Sequence, residues 1–374
     1  MWDWYSYNLF LSALLLGYFF LSYYDKEKKN NNYWLILGLL PFYLLLALRG
    51  RSVGIDLERY ELHVLYARSL SSVSLTQWLS EPLFTVIEWL SNKFGGIQAF
   101  IVITSTIECV FMFLAFKTLH KFGVETKNIY LFFIAYIFIR SFNIVRNGLA
   151  WTISLCAYVN LIGDAKDNKR QFWIYSIIAF LIHNSAIINI PIYFICWPLK
   201  TKATDKKLLI RITLLMAIAI AVFYFGRTLL IDRFFVLTED RYDTSHFEIR
   251  NEFGLGNILY RLPFLLLILF AYPKLKKRFG NRFVPVVMLF IFDLVIVNLR
   301  YLATDFERLA YYTGLAQVIL WGMIPMAYVK KLGNRGYLIV FFIGIIYFTY
   351  FMYHWGVEGG AGDGIGIMPY KFWK

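Results

Sequence analysis

The sequence predicts an all-α polytopic membrane protein of about twelve transmembrane segments, some short or broken, and three observations carry that expectation. The 374 residues are 59% hydrophobic and only 17% charged, where a soluble chain carries about a quarter charged residues. Mean hydropathy is +0.56. Apolar runs long enough to cross a bilayer recur along the chain, separated by short basic loops. This composition leaves one integral membrane domain over residues 1–374, although the length alone allows about two or three soluble domains. The formal charge of +14 does not indicate a nucleic-acid partner. Such a partner needs a continuous solvated basic face, and these charges lie scattered between apolar runs.

A spanning helix needs about 20 mainly apolar residues. Segments 5–24, 33–49, 97–119, 143–163, 208–226, 283–300, 308–328 and 336–354 approach or exceed that length, and 128–139, 172–182, 185–198 and 257–272 are shorter. Met1-Trp2-Asp3-Trp4 precede the first run without a basic stretch, so that run reads as a retained helix, not a cleaved signal. The chain breaks at His183-Asn184, and Pro191 interrupts the piece that follows. Broken segments at membrane depth are tolerated only against protein or a watery cavity. Two loops are long: 50–96, with an interfacial helix from Glu81-Pro82 through Trp89, and 227–256.

If all twelve segments cross, the lysine-rich loops fall on one side, which the positive-inside rule makes cytoplasmic. Seventeen of 20 lysines then lie inside, while 13 of 18 arginines lie at or near the outer face: Arg49, Arg51, Arg59, Arg68, Arg140, Arg146, Arg227, Arg233, Arg241, Arg250, Arg261, Arg300 and Arg308. Topology does not ask for arginine there. A guanidinium grips phosphate or carboxylate in a bidentate fork that lysine lacks, so the set points to an anionic ligand. The alternative is pairing with outer acids such as Asp56, Glu58, Asp240 and Glu307.

Cys109, Cys156 and Cys196 lie in apolar runs and suit reduced thiols, and the five histidines show no metal-ligand spacing. No metal site and no cofactor is expected. Glu108 and Asp293 fall mid-segment, where a charge is costly unless paired or hydrated. They read as interior groups bonded to another helix, or, in a transporter, as ion sites.

The densest polar stretch is LRGRSVGIDLERY, ending at Tyr60. Arg49 and Arg51 suit a phosphate clamp, a glycine lets the backbone turn, and Asp56 is placed to accept a proton. A plain helix exit with snorkelling arginines uses the same residues. His183, at a helix break beside Asn184 and Ser185, is a second candidate base or a partner for an exposed carbonyl. The run from Arg300 to Arg308 is a further outer cluster, suited to sugar hydroxyls or to self-pairing.

RGRSVGIDLERY, SEPLFTVIEWLSNKFG (80–95), FNIVRNGLAWTISLCAY (142–158) and IHNSAIINIPIYF (182–194) together resemble the four ordered signatures of the EpsG/Wzy family, over roughly residues 45–200. These are exopolysaccharide and O-antigen polymerases of the bacterial inner membrane. Two positions depart from the pattern: Leu57 stands where the family has threonine, and Asn147 where it has glutamine. The resemblance implies a GT-C-like, metal-independent glycosyltransferase whose active site and long loops face the periplasm. Donor and acceptor would both be undecaprenyl-pyrophosphate-linked glycans. Membrane lipids and a chain-length regulator are the other partners it allows, with no nucleic acid.

On that resemblance Arg49, Arg51 and Arg146 come first for pyrophosphate contact, then Arg140, Arg250 and Arg300, with Arg308 and Tyr60 toward the sugars. Arg140 and Arg146 flank a helix gap whose half-helix dipole favours anions. Asp56, His183 and Arg51 form the catalytic set. A lipid-linked oligosaccharide flippase and an O-antigen ligase are the rival readings; the chain shows no internal repeat of the kind many transporters carry.

Overall fold

The computed structural model describes residues 2–27, 31–67, 81–163, 166–198, 255–297, 307–357 and 365–373, together with residues 214 and 218. Among these the regular elements are helices, with two isolated backbone bridges and no strand. The helices are α1 (Trp4–Lys26), α2 (Asn32–Ala47), α3 (Leu57–Tyr66), α4 (Pro82–Phe94), α5 (Ile97–Lys121), α6 (Thr126–Tyr136), α7 (Val145–Val159), α8 (Lys166–Ile182), α9 (Asn189–Cys196), α10 (Leu255–Phe279), α11 (Val284–Ile296), α12 (Glu307–Leu332) and α13 (Asn334–Trp355). Single 3-10 turns at Phe138–Phe142 and Asn184–Ile188 separate α6 from α7 and α8 from α9. Among the described residues four helices are long and apolar enough to cross a membrane: Trp4–Lys26, Ile97–Lys121, Arg308–Tyr328 and Arg335–Trp355. Shorter apolar helices cover Asn32–Ala47, Asn184–Cys196 and Val284–Leu294. The expected segment 208–226 and loop 227–256 lie outside the described residues, apart from residues 214, 218, 255 and 256.

The chain divides into two compact units, one of residues 1–187 with 318–374 and one of residues 188–317. In the first, α1 and α2 form a hairpin, α5 packs on α2, α4 and α7, α7 on α8, and α6 between α1 and α13. The starts of these helices are written in their caps. The Asp3 carboxylate accepts from the backbone N–H groups of Tyr5 and Ser6, and Asn31 accepts from Tyr33. Asp25, from the last turn of α1, accepts from the backbone of Thr126 and Lys127 at 2.9 and 3.0 Å, which caps α6 from another helix.

Loop 50–96 holds α3 and α4. Pro82 opens α4, where its missing N–H costs nothing. Phe84, Thr85, Ile87, Glu88 and Ser91 form the buried face of α4, which packs against α3, α5 and α8. The break at His183 falls where the sequence places it. Pro191, however, does not interrupt a helix: it sits in the first turn of α9, a position that tolerates proline.

Residues 365–373 form a strap across one end of the first unit. Gly50 N–H donates to Lys371 O at 2.7 Å, Trp373 N–H to Leu48 O at 2.8 Å, and Gly54 N–H to Gly366 O at 2.9 Å. Tyr370 donates from its backbone to Ser6 Oγ at 2.6 Å and from its hydroxyl to Leu45 O at 2.7 Å. Burial pushes the Tyr370 phenol up from its ordinary range, with the Arg49 charge opposing.

In the second unit α11 packs on α9 and α10. Asp293, fully buried, accepts from Arg261 Nε at 2.6 Å, Thr313 Oγ1 at 2.8 Å and Gln317 Nε2 at 2.8 Å. Arg261, expected among the outer cations, is therefore the buried partner of an acid, the arrangement a carboxylate in an apolar interior requires.

Candidate functional site

Directly after α2 the chain turns through Leu48–Gly54 and comes to rest on the 3-10 turn before α7. Gly54 makes that approach with φ +104°, and a Cβ there would stand 2.1 Å from Phe142 O. Only glycine satisfies both demands. Arg49 enters the gap beneath. Its Nη1 donates to Phe142 O at 2.5 Å, and its guanidinium lies 5.3 Å from the Phe142 ring. A broken helix leaves carbonyls without partners, and a cation at that end also suits the dipole. Arg49 supplies both while almost completely buried. Below it, Ser141 Oγ donates to Glu108 Oε1 at 2.6 Å and Thr152 Oγ1 to the same oxygen at 3.3 Å. Glu108 thus ties α5 to the turn and to α7.

The segment Asn143–Arg146 gathers the remaining groups. Asn143 Oδ1 accepts from the backbone of Asp56 at 2.6 Å, which fixes the half-buried Asp56 at the start of α3. One turn on, the backbone N–H of Arg146 donates to Tyr60 Oη at 3.4 Å. The Tyr60 ring stacks on Phe100 with centroids 5.4 Å apart and meets Phe84 edge-on at 5.9 Å. Tyr60, expected toward the sugars, is held inside this aromatic cluster.

Arg146 Nη1 donates to Glu81 Oε2 at 2.6 Å, and His183 Nδ1 stands 2.6 Å from Glu81 Oε1. The Glu81 carboxylate is 4% exposed and Arg146 24% exposed. One buried carboxylate therefore bridges the helix start at Arg146 and the helix break at His183. With Nδ1 engaged by the carboxylate, Nε2 is the other edge of the imidazole.

The other expected residues scatter. Arg51 is 60% exposed, 3.1 Å from Glu61 and 5.0 Å from the Trp373 ring. Arg140 is buried among Tyr136, Phe351 and Trp355, with its guanidinium 4.5 Å from Phe351, and it donates to Tyr136 O. Arg308 is partly buried in the second unit, and Arg250 and Arg300 lie outside the described residues. Among the described residues Arg51, Arg146 and Arg261 thus meet the acids Glu61, Glu81 and Asp293, none of which the sequence analysis pairs with them. Glu81 is the residue that reading passed over. Its local signs are its place in the SEPLFTVIEWLSNKFG signature and the proline directly after it, which opens a helix. Among the described residues no three His, Cys, Asp or Glu side chains group around a metal position.

The described residues thus form an all-helical frame in which a cation, a buried carboxylate and a half-buried aspartate gather where α3, α4 and α7 begin. The EpsG family model matches residues 31–372, and the chain belongs to the EpsG family. The match runs well past residues 45–200, the stretch in which the four motifs lie. Family membership supports a polysaccharide polymerase-type role in general terms. No curated protein and no solved structure matches the chain.

Proposed function

We propose that the chain is a glycosyltransferase that joins undecaprenyl-pyrophosphate-linked oligosaccharide repeat units on the periplasmic side of the bacterial inner membrane. The observation that carries this reading is Glu81, held at 2.6 Å from both Arg146 and His183. It fixes the partly exposed Arg146 side chain beside the hook formed by residues 48–56. In the proposed step a hydroxyl of the acceptor sugar gives its proton to Asp56 and its oxygen bonds the donor's anomeric carbon. The bond from that carbon to the lipid pyrophosphate breaks, and Arg146 stabilises the charge left on the phosphate. Glu81 and His183 act as positioning residues for Arg146. Arg49 supports the turn from beneath and does not touch substrate.

If the segments cross as the sequence predicts, the positive-inside rule puts the lysine-rich loops in the cytoplasm and the hook on the other side, which supports a periplasmic site. The test is reconstitution in vesicles with single lipid-linked repeats already on the outer face. A ladder of lengthened glycan is expected. Movement of the lipid across the bilayer without lengthening would instead mark a flippase, and transfer only to a lipid A core acceptor would mark a ligase.

A further inference from the structure

We propose that the groove over the paired hook and C-terminal strap is a carbohydrate-binding subsite, which holds the sugar chain of a lipid-linked substrate. The proposal rests on the polymerase reading and gives the glycan a place on this chain. Gly50, Arg51 and Ser52 of the hook and Lys371, Phe372 and Trp373 of the strap line an open volume of about 730 Å³, a size typical of small-molecule sites.

Three properties of the groove select a glycan. The first is rigidity. The two lining segments are zipped side by side by backbone hydrogen bonds from Gly50 to Lys371 at 2.7 Å and from Trp373 to Leu48 at 2.8 Å. A preformed groove spares a ligand the cost of ordering it. The second is aromatic surface. Phe372 is 44% exposed although it lies in a bonded strap, and with Trp373 it offers flat apolar faces suited to the C–H faces of pyranose rings. The third is mixed polarity: Arg51, 60% exposed and 3.1 Å from Glu61, stands 5.0 Å from the Trp373 ring, and Lys371 is exposed beside it. A guanidinium fork and an ammonium reach sugar hydroxyls and carboxylates together. A bare phosphate has no use for the aromatic wall, and a lipid tail has none for the charges.

Arg51 is thereby assigned to the sugar chain, and the leaving pyrophosphate to Arg146. The hook also carries Asp56, so a glycan seated here rests on the same segment as the residue proposed to take the proton.

The test titrates full-length protein in detergent with lipid-free oligosaccharide released from the polymer of the cells that encode it. Binding is read by calorimetry and saturation-transfer NMR. Binding is expected, weakened at least about tenfold by Trp373→Ala and by Lys371→Glu, and kept within about threefold by Trp373→Phe. Lys371→Glu decides if Trp373→Ala does not fold, because only the backbone of Lys371 joins the zipper. No oligosaccharide binding, or binding indifferent to both variants, overturns the subsite. So does binding of inorganic pyrophosphate that depends on Trp373 and Lys371 while the oligosaccharide shows no such dependence. The polymerase reading fails separately: a wild-type protein that binds oligosaccharide through Trp373 yet makes no ladder from lipid-linked repeats keeps the subsite and loses the activity.

Discussion

With its guanidinium bonded to Phe142 O, Arg49 serves as the terminal cap of a broken helix, whereas Arg146 keeps 24% of its side chain exposed. The same side chain does different work because one is sealed and the other opens outward. Arg49→Ala is expected to lower stability by about 2–3 kcal/mol, since it removes a charged donor from a buried carbonyl; denaturant unfolding in detergent reads this, and an unchanged midpoint would free Arg49 for a substrate role. Arg146→Lys is expected to unfold near the wild-type midpoint and to lose polymerisation by about tenfold or more, because a lysine cannot hold Glu81 and phosphate oxygens in one fork. Full activity in the lysine variant would reduce Arg146 to a point charge. Arg49, Arg51 and Asp56 are legible in sequence because they fall within one short polar stretch. Glu81 is not, since its partners lie 65 and 102 residues away and only the fold brings them together. Asn143, 87 residues from Asp56, is hidden for the same reason.

The hook and the 3-10 turn work as one element, and Gly54 is the point where they touch. Gly54→Ala must accept φ +104° and place a Cβ 2.1 Å from Phe142 O. Gly96 also has positive φ, at +66°, but meets nothing within 4 Å. The left-handed backbone alone costs about 1–2 kcal/mol, so Gly96→Ala is expected to lose about that much and Gly54→Ala clearly more, together with the polymer ladder. Equal midpoints for the two variants would mean that the hook can lift from the turn without harm. The helix break at His183 was readable, because polar residues at membrane depth announce an interruption. The first turn of α9 was not, because a proline there looks the same in sequence as one that breaks a helix. The helices in loop 50–96 carried a readable start at Pro82, yet their packing on α5 and α8 depends on tertiary fit.

At the scale of the whole chain, the alternation of apolar runs and basic loops made the helical membrane class plain. The strap could not be foreseen: it is held by backbone hydrogen bonds in a stretch without periodicity, and its partners come from α1, α2 and the hook. Ser6→Ala is expected to cost about 1–3 kcal/mol by leaving the buried N–H of Tyr370 without its acceptor. Deleting residues 365–373 is expected to lower the unfolding midpoint further and to end polymerisation; a deletion variant as stable and active as the full chain would show that the hook stands alone. Ser6 and Tyr370 are 364 residues apart. At a ribosomal rate of about 5–20 residues per second, Ser6 waits roughly 20–70 s for its partner. The hook is thus built early and locked late. A half-synthesised chain already in the membrane would hold the hook without its strap, so the last residues made complete a fold that the first residues begin.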